Sequence, residues 1–159
     1  MDKRALVAAL QQKLREEYEV VAAAVAAARE GATHEEAKPE NEYDTRGLEQ
    51  SYLAGAQTAR AEAVLAAIAE LEHFRPKSFS SDGPIGLGAC VLVDDGREER
   101  RYFLCGHGGG SKLELEGHSY VVLAPGSPLS RKLFGKRIGD VVEHGVRGED
   151  LELEIIGLA

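Results

Sequence analysis

One acidic stretch of the chain, residues 32–50, has six carboxylates, and five of them lie close together. They are Glu35, Glu36, Glu40, Glu42 and Asp44. Hard cations such as Mg²⁺ prefer oxygen ligands, and proteins often hold Mg²⁺ through one or two carboxylates together with water and phosphate oxygens. The stretch therefore predicts either a solvated turn or a surface that shares a Mg²⁺ ion with a partner.

A second charged segment has the opposite sign. Residues 130–137, SRKLFGKR, carry four cations and no carboxylate, although the whole chain has a net charge of -8. That overall charge argues against general nucleic-acid binding, because contact with phosphates requires clustered Lys and Arg. The segment is either a contact for an acidic partner or an ordinary solvated helix face, and the sequence leaves both open.

Three further motifs are interpreted as structural. Residues 106–112, GHGGGSK, contain an HGGG string like an oxyanion loop, but no G-x-S-x-G motif accompanies it and the order of a phosphate-binding loop is not met. A flexible strand connection is favoured. His107 and His118 are isolated, and Ser127 lies in a proline-rich loop without an evident general base.

Two Ala-rich segments flank the acidic stretch and predict a helical hairpin. In residues 5–30, apolar side chains recur at spacings of four and three, and Gly31 is expected to end the helix. The second helical segment is expected over about residues 41–72. Its helix begins either near His34, with a kink before Pro39, or near Pro39, and the start near Pro39 is favoured. The expected packing faces are Leu14, Tyr18, Val21, Val25 and Ala28 on the first helix, and Leu53, Val64, Ile68 and Leu71 on the second.

The second half of the chain has the period of two that is typical of strands. GACVLVDD and RRYFLCG flank Gly96 and predict a hairpin, whereas SYVVLAPG and LELEIIGLA predict further strands. SPLSRKLFGKRIGD predicts a short helix followed by a glycine-containing turn. The whole chain is thus expected to be an α+β protein, with a hairpin over residues 1–75, a linker over 76–86 and a small, mostly antiparallel sheet over 87–159.

The environment of the protein is predicted from composition. No apolar run is long enough for a membrane span and the first residues do not form a signal peptide, so a cytoplasmic protein without a membrane partner is expected. Cys90 and Cys105 lack the Cys and His neighbours of a zinc site, and both are expected to be buried thiols. We expect a monomer.

The second half resembles the C-terminal domain of the bacterial GreA/GreB transcript-cleavage factors. The resemblance lies in VVLAPGSPLSRKLFGKRIGDVVEH followed by LELEIIGLA, with the Ser-Pro-Leu run at residues 127–129, Gly-Lys at 135–136 and Gly-Asp at 139–140. The first half more loosely resembles the antiparallel coiled coil of that family. The resemblance implies a coiled-coil rod joined to a domain with an FKBP-like fold.

The resemblance also implies a function in transcription elongation. In that family the globular domain docks on RNA polymerase, the rod enters the secondary channel, and acidic tip residues help to hold a Mg²⁺ ion at the active site of the polymerase, where backtracked RNA is hydrolysed. The resemblance therefore implies that this chain is not itself an enzyme and has no cofactor of its own. Docking residues are expected among Ser127, Pro128, Arg131, Lys132, Lys136 and Arg137.

The tip of that family has the pattern Asp-Leu-Ser-Glu-Asn. Glu40 and Asn41 match the last two residues, whereas Ala37 stands where the first acidic residue belongs. Glu40 is the expected main carboxylate and Mg²⁺ ligand, Glu36 or Glu35 its helper, and Asn41 the residue that orients the tip. Two alternatives follow: a noncatalytic polymerase regulator of the Rnk type, and, from the FKBP-like fold alone, a peptidyl-prolyl isomerase.

Overall fold

The computed structural model describes residues 2–33, 46–146 and 149–159. Two long helices come first, α1 (Lys3–Thr33) and α2 (Arg46–His73), followed by six strands and one short helix. The chain divides into two compact units, one of residues 11–72 and one of residues 1–10 together with 73–159. The α+β class and the N-terminal helical hairpin are confirmed. The domain limits assigned from the sequence, with the linker at 76–86, stay a prediction.

The hairpin unit is held by small and medium apolar side chains. On α1, Leu14 and Val21 are buried as expected, and on α2 so are Val64, Ile68 and Leu71. The prediction is wrong for Leu53, which is 54% exposed. Its neighbour Ala54 is buried instead. An ion pair at 2.6 Å joins Arg60 to Glu17 across the hairpin, but both side chains are exposed and the pair contributes little to stability.

Only the first of the two ends of α1 lies where its neighbouring residues predict it. Asp2 caps the first turn, since its Oδ1 accepts a hydrogen bond from the backbone N–H of Arg4 at 2.9 Å. The expected stop at Gly31 is wrong, because the helix continues to Thr33. A helix interior tolerates a glycine at a cost of about 1 kcal/mol in stability relative to alanine, and the other residues of a long helix offset this cost. The predicted start near Pro39 lies outside the described residues.

The sheet is mixed, with the strand order β3-β4-β2-β1-β6-β5. Four strands were expected from the sequence: β1 (Cys90–Asp94), β2 (Glu99–Leu104), β4 (His118–Leu123) and β6 (Glu149–Leu158). Two were not, β3 (Lys112–Leu115) and β5 (Val141–Val146), and they are the two edge strands. Every pairing is antiparallel except that of β2 with β4, which is parallel. The expected short helix is α3 (Pro128–Leu133).

One face of the sheet forms the main apolar core with α3. Leu129 and Leu133 of α3 pack with alternate residues of the strands, including Val91, Val93, Tyr102, Leu104, Leu153 and Ile155. Because successive strand residues point to opposite faces, this pattern assigns the intervening residues to the other side of the sheet.

The opposite face of the sheet is buried as well. Phe103 is 0% exposed and Val122 is 0% exposed, although neither belongs to the cluster around α3. The first turns of α1 lie in the same unit, and there Leu6 and Leu10 are also 0% exposed. The N-terminal residues are therefore part of the folded core of the sheet unit.

Both cysteines are free and buried, as expected from the sequence. Burial raises the pKa of the Cys90 thiol to about 12, against the opposing effect of nearby Lys3. Burial also raises the pKa of Cys105. Both side chains are therefore neutral thiols at physiological pH, which suits apolar packing. Among the described residues, no helix is long and apolar enough to cross a membrane.

Candidate docking surface

The predicted catalytic residues lie outside the part of the chain that the structure describes. These are Glu35, Glu36, Glu40 and Asn41, and with them goes the predicted Mg²⁺ site at Glu40 and Glu36. Within residues 2–33, 46–146 and 149–159, no group of three or more His, Cys, Asp or Glu side chains is placed to hold a metal ion. The tip assignment remains a prediction.

The predicted docking segment begins with a capped helix. Ser127 is the N-cap of α3, and its side chain accepts a hydrogen bond from the backbone N–H of Ser130 at 3.3 Å. Pro128 follows in the first turn, where a missing N–H costs nothing. Leu129 and Leu133 face the core, which leaves Arg131 and Lys132 exposed on the other side of the helix. Ser127 and Pro128 thus shape the helix that presents the cations.

The Gly-Lys-x-x-Gly-Asp run forms a tight turn after α3. Gly135 and Gly139 have φ values of 80° and 89°, a backbone conformation that favours glycine. The Asp140 carboxylate accepts a hydrogen bond from the backbone N–H of Arg137 at 2.9 Å. The backbone then pairs with β6, through Gly139 N–H to Ile155 O at 2.8 Å and Ile155 N–H to Asp140 O at 2.9 Å. The motif is therefore a rigid turn fixed to the sheet.

The four predicted docking cations all lie on the surface. Arg131, Lys132, Lys136 and Arg137 are exposed. Two of them also bind backbone oxygens, Lys132 Nζ donating to the Glu143 carbonyl at 2.6 Å and the Arg137 guanidinium to the Asp82 carbonyl. The charged groups themselves make these two hydrogen bonds, and all four residues remain exposed.

A pocket adjoins this segment and was not predicted from the sequence. It has a volume of about 530 Å³, and three of the chain's four phenylalanines line it. We call it the phenylalanine pocket; its lining residues are Phe74, Arg75, Lys77, Phe79, Pro84, Ile85, Gly86, Leu87, Phe134 and Gly135. Five of them belong to residues 76–86, the stretch that the sequence assigned to a linker. Because this stretch is rich in Pro, Gly and Ser, the sequence indicated a linker there and not a binding site.

Hydrogen bonds fix the walls of the phenylalanine pocket. The backbone N–H of Ile85 donates to Lys136 O at 2.8 Å, and the backbone N–H of Gly135 donates to Ile85 O at 2.8 Å. Lys3 Nζ donates to the Lys77 carbonyl and lies 4.8 Å from the centroid of the Phe79 ring. Burial lowers the pKa of the Lys3 ammonium. The segment after α2 is thus bound to the turn after α3.

The HGGG string is a closely packed connection between β2 and β3. A Cβ atom built on Gly108 would lie 2.5 Å from Leu10 Cδ1, and one built on Gly109 would lie 2.7 Å from the Ala124 Cβ. Neither approach leaves room for a methyl group. The predicted strand connection is confirmed. Close packing explains the glycine at 109, and at 108 the φ of 70° is a second reason for glycine.

Gly109→Ala is therefore expected to lower the free energy of unfolding by about 1–3 kcal/mol, the usual cost of overpacking. The clash involves Ala124, whose backbone N lies 3.2 Å from the added Cβ and which has no rotatable side chain to move away. Gly106→Ala is the matched control, because no atom lies within 4 Å of a Cβ there. Urea unfolding of the two variants measures the difference, and equal stabilities would refute the packing explanation.

The described residues define an α+β protein with an N-terminal helical hairpin, a six-stranded mostly antiparallel sheet and one short helix. Among solved structures, the crystal structure of GreA factor homolog 1 (Gfh1) of Thermus thermophilus is similar, with 22% sequence identity over 94% of each chain and a TM-score of 0.41. Gfh1 of Thermus aquaticus gives 22% identity over 92% of each chain and a TM-score of 0.40. No family model and no curated protein matches the chain.

Proposed function

We propose that the protein is a bacterial transcription elongation factor that binds RNA polymerase at the secondary channel. The observation that carries the proposal is the fold of residues 127–140. This run, on which the resemblance to the GreA/GreB factors depends, is a capped helix and a glycine-closed turn that keep four cations on the surface of a protein with a net charge of -8. Clustered cations on an otherwise acidic protein favour an acidic docking partner.

The proposed activity is stimulation of RNA cleavage by the polymerase. Glu40 and Glu36, assisted by Glu35, are the proposed carboxylate ligands of a shared Mg²⁺ ion, and Asn41 orients the segment that carries them. Bound at the polymerase active site, such an ion would help to activate water for hydrolysis of backtracked RNA. The protein would complete a site that belongs to its partner. A noncatalytic regulator is the second candidate, favoured by Ala37 at the position of the first acidic residue.

Reversal of two docking cations tests the binding step. We expect the double variant Arg131→Glu/Lys132→Glu to lower the affinity for RNA polymerase on the order of tenfold at low salt, since two exposed attractions become repulsions. The loss should shrink at high salt, because exposed charges are screened over about 8–10 Å at physiological ionic strength. Binding of fluorescently labelled protein to purified core polymerase at several salt concentrations measures the effect.

A matched double variant controls for the change in net charge. Arg97→Glu/Lys112→Glu alters the charge equally and lies in the same sheet unit, but outside residues 127–140. It should bind nearly as well as the wild type. If both double variants bind equally well, the docking surface lies elsewhere, and if the wild type does not bind, the proposed function is wrong.

A further inference from the structure

We propose that the phenylalanine pocket binds an apolar side chain of a protein segment whose neighbouring residues are carboxylates. This rests on the proposed function, under which the segment belongs to RNA polymerase. The pocket, and not the charged face of α3, would then be the energetic centre of docking.

The first support is the exposure of large apolar side chains around the pocket. Phe134 is 54% exposed and Leu87 is 41% exposed, and both line it together with the partly buried Phe74 and Phe79. The chain has four phenylalanines, and only Phe103 is used wholly inside the core. Contiguous exposed apolar surface of this kind marks interaction sites. Burying Phe134 and Leu87 against a partner would remove that surface from water.

The second support is the sign of the charge around the pocket. Arg75 and Lys77 line it, Lys136 and Arg137 directly follow its last lining residue, and none of the ten lining residues is acidic. An apolar centre with a charged rim is typical of protein interfaces, where aromatic residues supply affinity and rim charges supply orientation. The complementary segment therefore carries an apolar side chain flanked by Asp or Glu.

The third support is the fixed geometry of the walls. The paired hydrogen bonds between Ile85 and residues 135–136 join one wall to the other, and the Arg137 bond to Asp82 O adds a third connection. Lys3 binds the far part of the same segment through Lys77 O. A preformed pocket loses little conformational entropy when it binds, which favours affinity.

A protein segment fits this pocket better than a small molecule does. Small-molecule sites bury about 70–90% of the ligand surface. Here two of the large apolar side chains that line the pocket remain open to solvent, Phe134 at 54% and Leu87 at 41%. A small ligand would leave this apolar surface largely uncovered, whereas a protein segment extends beyond the pocket and covers it.

The test uses the full chain and purified core RNA polymerase. Phe134→Ser is expected to weaken binding at least tenfold, about the effect of losing an interface hot spot. Because apolar burial is not screened by salt, the loss should be similar at low and high salt, unlike that of the charge reversal. Phe134→Leu should keep most of the affinity. Ile138→Ser is the matched control, as Ile138 is 39% exposed in the same turn but does not line the pocket.

Each outcome decides between the proposals. Wild-type binding with undiminished binding by Phe134→Ser would overturn the pocket proposal and leave the docking function standing. An equal loss in Ile138→Ser would also overturn it, since the contact would not be centred on the pocket. No binding by the wild type would overturn both proposals. Thermal unfolding of each variant checks the fold, which a half-exposed side chain should hardly affect.

Discussion

Glu40→Ala is expected to abolish most of the stimulation of RNA cleavage while binding to polymerase is retained. The carboxylate is proposed to hold the shared Mg²⁺ ion, and alanine offers no oxygen ligand. Even groups that only support a metal ligand cost about 10- to 100-fold in activity when they are replaced. Loss of the ligand itself should slow cleavage by at least that factor. The measurement is the rate of 3′ RNA fragment release from stalled, backtracked elongation complexes.

Two further variants make this test specific. Glu40→Gln keeps the size of the side chain and removes the charge, so it should fail as Glu40→Ala does. Glu42→Ala removes a carboxylate of the same acidic stretch that has no assigned role, and it should remain active. If the wild type binds polymerase without speeding RNA release, the protein is a noncatalytic channel regulator, and Ala37 is the expected reason.

Phe103→Ala is expected to have the largest effect on stability, lowering the free energy of unfolding by about 3–5 kcal/mol. Phe103 is 0% exposed, and it lies on a central strand where it pairs with Cys90 on one side and Val122 on the other. Replacing the ring by a methyl group would leave a cavity. Because β2 is paired with a strand on each side, the backbone could not move in to fill it. Denaturant unfolding followed by circular dichroism measures the change.

Val141→Ala provides the comparison for Phe103→Ala. Val141 lies on the edge strand β5 and is 52% exposed, so its truncation should change the free energy of unfolding by no more than about 0.5 kcal/mol. A Phe103→Ala variant as stable as Val141→Ala would show that the second face of the sheet is not a packed core.

The sequence predicts the parts of the fold whose signal is local. The β1–β2 hairpin around Gly96 and the capped helix after Ser127 were both expected, because turn and cap residues act within a few positions. The two edge strands were missed. β3 is only four residues long, and Gly145 interrupts the alternation in β5.

The packing face of α2 shows why large residues alone mislead in an Ala-rich helix. Leu53 was expected in the seam, but Ala54 lies there, two seven-residue repeats before Ile68. A shift of one position turns a side chain by about 100° around the helix. Where helices approach closely, a methyl group fits and the larger leucine does not. In such a helix, the position of a residue in the seven-residue repeat therefore predicts its burial better than the size of its side chain does.

The phenylalanine pocket could not be predicted because no local pattern brings its residues together. Phe74 and Phe79 are far from Phe134 in the sequence, and the backbone pairing of Ile85 with residues 135–136 joins them. The acidic residues Glu35, Glu36 and Glu40 lie outside the described residues. Their role rests on composition and resemblance, and the cleavage experiment tests it.

The sheet unit is discontinuous in the sequence, since it combines residues 1–10 with residues 73–159. During synthesis, Leu10 leaves the ribosome first, but its neighbour Gly108 follows only after the whole hairpin and two strands have been made. Closing so long a loop is slow, because the entropy cost precedes the contacts that offset it. The backbone hydrogen bonds of α1 and α2 each span only four residues, so these two helices are able to form early. The sheet unit must therefore complete its core late, and until then its second apolar face needs protection from aggregation.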